Sequence, residues 1–170
     1  MASTLENISR FASRFFPGAN LDYTIRVVYE ANRHRLYALS FWMTDNELVA
    51  EELMAKTFRQ SFRVSLAPSA EELDAILVSE LRNLMPIGEL CLNCVPEAKV
   101  ASVRYNARRV DLERAVVQLP ATERMAFLMH DVEGYDHSRT ARCLGITQKQ
   151  SQQAVYQARL RIRELLARLS

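Results

Sequence analysis

Between Tyr135 and Arg163 the chain sets a three-residue turn, Leu144-Gly145-Ile146, between two stretches that each read as a helix. The first is short and holds Thr140, Ala141 and Leu144. The second opens with Thr147 and Gln150 as a capping box and carries Val155, Ala158, Ile162, Leu165 and Leu169 at steps of three and four. Gly145 supplies the left-handed backbone that a tight turn between two sharply crossing helices needs, and Ala141 lets those helices approach closely. This is a helix-turn-helix signature.

The rest of the chain follows the same periodicity. Residues 21–43 place Ile25, Val28, Leu36, Leu39 and Met43 on one stripe, with Asn32 in the gap. A second helix is expected from Thr44, where Thr44 and Glu47 make a capping box, through Leu48, Leu53, Met54, Phe58 and Phe62, with Pro68 ending the unit. Ser69 with Glu72 opens a third, carrying Leu73, Ile76, Leu77, Leu81 and Leu84 until Pro86 and Gly88. From there to about Arg109 the periodicity fails, which reads as a linker with room for a short helix from Glu97 to Asn106. Further helices are expected at 110–118, 121–132, 136–143 and 147–168, broken at Pro120, Gly134 and Gly145. No window alternates apolar and polar residues as a strand would. The expected fold is all-α: a helical bundle over residues 1–86, a linker over 87–109, and a helix-turn-helix bundle over 110–170.

Composition agrees with two small globular units. The 170 residues are 49% hydrophobic and 25% charged, which excludes disordered and collagen-like classes. The net charge of +2 hides an asymmetry: residues 1–100 hold 10 basic and 13 acidic side chains, residues 101–170 hold 12 and 7. A basic C-terminal part suggests a polyanionic partner there. Nothing approaches a membrane span, and the N-terminus lacks an apolar signal core, so a cytoplasmic location is expected. Three cysteines argue against a disulfide scaffold.

On the second helix of the motif, Gln148, Lys149, Gln152, Gln153, Tyr156, Arg159 and Arg163 point away from the apolar stripe. Glutamine can pair bidentately with adenine, and Lys and Arg can reach guanine or phosphate, so this face can read a duplex. A solvated bundle face is the alternative. Cys91 and Cys94 have metal or redox spacing, but no second paired cluster accompanies them, and two incidental linker cysteines is the better reading. His130, Asp131, Glu133 and Asp136 lack a nucleophile or phosphate-loop motif and read as a helix end and its caps. Phe41, Trp42, Phe58 and Phe62 could stack on an unpaired base, but their spacing favours core packing. No enzyme constellation, metal site or cofactor is expected.

These residues resemble a family. Residues 112–166, LERAVVQLPATERMAFLMHDVEGYDHSRTARCLGITQKQSQQAVYQARLRIRELL, resemble domain four of an extracytoplasmic-function sigma factor of bacterial RNA polymerase. Residues 36–58, LYALSFWMTDNELVAEELMAKTF, similarly resemble domain two. The resemblance implies a transcription-initiation protein whose partners are core RNA polymerase, double-stranded promoter DNA and an anti-sigma protein. It places Ala50, Glu51, Glu52, Leu53 and Lys56 at the polymerase, and Arg82 and Asn83 at the −10 element. Thr147, Gln148, Lys149, Gln150, Gln152, Gln153, Tyr156, Arg159 and Arg163 fall at the −35 element.

The chain also departs from the family pattern. Ala55-Lys56 replaces a Gln-Glu pair and reverses a charge, and Leu84-Met85-Pro86-Ile87-Gly88 stops a helix that usually runs on. Ser151 takes an aliphatic position, and Gln152-Gln153-Ala154 replaces a more basic run, which implies weaker DNA binding than in a typical member. The alternative reading is therefore a sigma-like interaction module that binds polymerase or an anti-sigma protein without efficient promoter melting.

Overall fold

The computed structural model describes residues 2–14, 21–91, 94–96 and 108–169, and among these it is helical without strands. The chain divides into two compact units, Met1–Leu84 and Met85–Ser170.

The first unit contains α1 (Ala2–Ala12), α2 (Leu21–Thr44), α3 (Glu47–Val64) and α4 (Ala70–Arg82). Helix α1 was not expected from the sequence; it packs on α2 and α3, burying Ile8 and Ala12, which lie one turn apart. The stripe on α2 forms as anticipated at Ile25, Leu36, Leu39 and Met43, but Tyr29 rather than Val28 completes it and packs its ring 4.9 Å from that of Phe58. Phe58 and Phe62 are core residues, whereas Phe41 and Trp42 are half-buried.

The junction between α2 and α3 corrects the expected Thr44–Glu47 cap. Thr44 stays helical and donates its hydroxyl to the Ser40 carbonyl, Asp45 takes a left-handed φ of 52°, and Asn46 becomes the cap, its side chain accepting from the Val49 N–H. Asp and Asn tolerate such junctions because their short polar side chains hydrogen-bond locally. On α4 the Ser69–Glu72 capping box forms as read. The helix stops at Arg82, which leaves Leu84 exposed instead of in the core. Asp74 is fully buried on α4 and bonded by Arg35 of α2, while Asn32 holds Arg35 from the adjacent turn at 3.0 Å.

The second unit contains α5 (Arg109–Val117), α6 (Ala121–Phe127), a π-helical turn (Leu128–Val132), α7 (His137–Leu144) and α8 (Gln148–Leu169), with α5, α6 and α7 all packed on α8. Glu123 of α6 is buried and accepts from Arg161 Nε at 2.7 Å. The stretch from residue 87, expected as a linker, instead begins inside this unit. Ile87 and Val95 are buried, the Gly88 N–H donates to Thr122 Oγ1 at 3.0 Å, Thr122 donates to the Glu89 carbonyl, and the Val95 N–H donates to Gln157 Oε1 at 2.8 Å. Pro and Gly break helical periodicity here, yet side-chain acceptors on α6 and α8 satisfy the irregular backbone. The short helix considered from Glu97 to Asn106 lies outside the described residues.

Candidate nucleic-acid interface

The helix-turn-helix is held by local bonds at each joint. Asp136 caps α7, its Oδ1 accepting from the Arg139 N–H at 2.7 Å. At the other end Gly145 adopts φ 62°, and the Ile146 and Gly145 N–H groups reach back to the Ala141 and Arg142 carbonyls at 3.1 and 3.3 Å. This paired closure is a Schellman motif, and it aims the chain sharply into the next helix. Helix α8 then starts on the Thr147–Gln150 box: the Thr147 N–H donates to Gln150 Oε1 at 2.8 Å and the Gln150 N–H to Thr147 Oγ1 at 3.2 Å.

Burial divides α8 into two faces. Ser151, Ala154, Val155, Gln157, Ala158, Leu160, Ile162 and Leu166 turn inward. Thr147, Gln148, Lys149, Gln152, Gln153, Tyr156, Arg159 and Arg163 are exposed, and Gln150, tied into the cap, is half-buried. All the residues placed at the −35 element therefore lie at or near one surface. Gln153 approaches Cys94 Sγ at 4.0 Å. Among the described residues Cys91, Cys94 and Cys143 form no disulfide, and no group of three potential ligands could hold a metal ion.

Against this face stands a cluster that sequence reasoning took for helix-end caps. Asp131, from the π-helical turn, receives Arg159 side-on: Nε donates to Oδ2 at 2.8 Å and Nη2 to Oδ1 at 2.6 Å. Beside it the rings of His130 and His137 stack with centroids 4.0 Å apart. His130 Nδ1 lies 2.6 Å from the Tyr135 carbonyl and His137 Nδ1 lies 3.2 Å from Ser151 Oγ, so Ser151 is a partner inside the core and not a defective aliphatic position. Burial, then the neighbouring His130 and Arg159 charges, hold the His137 pKa below its ordinary value. Arg139 lies over the Tyr135 ring at 3.6 Å. No local signal marks the Asp131–Arg159 pair, since its members are 28 positions apart and come from the π turn and α8.

The residues assigned to polymerase fall into two groups. Ala50 and Leu53 are buried in the core of the first unit, which corrects their placement at a docking surface: on an amphipathic helix they belong to the inward stripe. Glu51 and Glu52 are exposed. Lys56, half-exposed, pairs with Glu52 at 2.9 Å across one turn, and this contact lowers the Glu52 pKa. The reversed charge at position 56 is thus balanced within α3. Arg82 and the capping Asn83 are both exposed at the end of α4.

Residues 109–169 match the family model described as Sigma-70, region 4. Most of the C-terminal unit is thus similar to sigma-70 region 4. The fold of the chain is similar to that of the sigma factor RpoE, solved in complex with the anti-sigma factor NepR from Bartonella quintana. The two share a TM-score of 0.61 and 19% sequence identity over 82% of this chain and 94% of that one. The chain as a whole therefore has a sigma-factor fold. No curated protein sequence matches it. Among the described residues no helix of this sigma-like chain is long and apolar enough to cross a membrane.

Proposed function

We propose that this chain is an extracytoplasmic-function sigma factor, a non-enzymatic cytoplasmic protein that binds core RNA polymerase and directs it to specific promoters. The observation that carries the reading is the exposed face of α8, which in a segment similar to sigma-70 region 4 bears Gln148, Lys149, Gln152, Gln153, Tyr156, Arg159 and Arg163; this supports a recognition helix that enters the major groove. Glutamine and arginine there serve base reading, and Lys149 serves phosphate. In the first unit, Glu51, Glu52 and Lys56 form the polymerase-facing surface, and Arg82 and Asn83 approach the −10 element. An anti-sigma protein is the expected regulator, as the RpoE–NepR complex has one.

The second reading, a sigma-like module that binds polymerase or an anti-sigma protein without efficient melting, draws on one observation. The central cation of the reading face, Arg159, is engaged by Asp131. Gel filtration of the full chain with core polymerase, followed by transcription of a genomic fragment library, tests both. A complex that yields transcripts from a shared promoter sequence supports the first reading, a complex without transcripts supports the second, and no complex excludes the first reading and the polymerase-binding form of the second.

A further inference from the structure

We propose that Asp131 is a specificity-determining residue that suppresses sequence-independent DNA binding by holding Arg159 away from phosphate. The inference rests on the DNA-reading role of α8 proposed above.

The Asp131 carboxylate engages Arg159 through Nε and Nη2, at 2.8 and 2.6 Å. This side-on fork is one that a guanidinium offers equally to a phosphate or a guanine edge. The acid is the less exposed partner: its side chain is 19% exposed, while that of Arg159 is 51% exposed and able to exchange partners with solvent. The neighbouring His130 does not replace Arg159. A carbonyl oxygen can only accept, so Nδ1 carries the hydrogen in the 2.6 Å contact to Tyr135 and is engaged there. Its Nε2 lies 3.9 Å from Asp131 Oδ1, beyond hydrogen-bond reach.

Two consequences follow for a duplex laid on α8. A phosphate that takes Arg159 must break the fork, and it then meets an uncompensated carboxylate. The pair is half in water and therefore weak, so a good site can displace it, whereas a phosphate alone gains little. Asp131 thus removes one cation from the electrostatic footprint that any DNA sequence would feel.

The experiment measures binding of the full chain to a short random-sequence duplex over a series of salt concentrations, by fluorescence anisotropy. Wild type, Asp131→Asn, Arg159→Gln and the double variant are compared. Asp131→Asn is expected to bind about two- to five-fold more tightly, the range of an exposed ion pair. Its log K against log salt should steepen by about 0.9, one additional phosphate contact. In the Arg159→Gln background the same change should alter neither quantity. An equal gain with Arg159 absent overturns the proposal, because deletion of a negative charge then suffices. So does an unchanged slope, which together with a lowered melting temperature would mark the pair as purely structural. Asp131→Ser removes the same charge and substitutes if Asp131→Asn does not fold. Absence of binding by wild type and Asp131→Asn alike overturns the DNA-reading role itself, and this inference with it.

Discussion

The imidazoles of His130 and His137 stack with centroids 4.0 Å apart and planes 17° from parallel, tying the π turn to α7. Charging His137 opposes burial, His130 and Arg159, although Asp131 and Asp136 also face it and act in the opposite sense. Its folded pKa lies below the ordinary 6.5, so below that pH the unfolded chain takes up a proton that the folded chain resists. The stability contribution is present above pH 6.5 and is lost as pH falls toward the lowered folded pKa. Buried Glu123 has a raised pKa and acts with the opposite sign nearer the carboxylate range. Melting temperature followed by circular dichroism should therefore fall more steeply below pH 6.5 in wild type than in His137→Gln. Parallel slopes would contradict this.

Arg161→Met leaves the Glu123 carboxylate in the core of the second unit without the cation that bonds it at 2.7 Å. Loss of one member of a buried pair costs about 3–5 kcal/mol. The double variant with Glu123→Gln should recover much of that loss, because no charge is then stranded. Urea unfolding of the single and double variants checks this, and equal destabilisation in both would refute it.

In the first unit the same reasoning applies to Arg35→Ala, which removes the cation bonded to the fully buried Asp74 and loosens α4 from α2. The expected loss is again about 3–5 kcal/mol. The chain's single tryptophan, Trp42, lies on α2 of this unit and reports its unfolding by fluorescence. An unchanged midpoint in urea would show that Arg35 contributes nothing.

Lys149 stands exposed in the first turn of α8, and in the proposed function it contacts phosphate. Lys149→Ala should weaken binding to all duplexes by a similar factor and flatten the salt dependence by about 0.9. A change confined to one base position of a selected promoter would instead make Lys149 a base reader.

Much of the fold was legible because its determinants are local. The Ser69–Glu72 and Thr147–Gln150 boxes span three residues, and Gly145 meets a requirement of the turn it occupies, so each can be read without knowing what packs nearby. The exposed face of α8 was legible for the same reason, since a period of 3.6 assigns polar residues to one side. The Asn46 cap was missed because Thr44 and Glu47 satisfy the same spacing, and left-handed Asp45 decides between them.

By itself, then, the sequence determined an all-helical chain with a helix-turn-helix near its C-terminus and the polar face of its last helix. Only tertiary structure decided that Ala50 is a core residue, that residues 87–91 belong to the second unit, and that Asp131 meets Arg159. The physical reason is range. Caps and stripes arise between residues three or four apart, whereas an ion pair across 28 positions needs the packing of separate elements to bring its charges together.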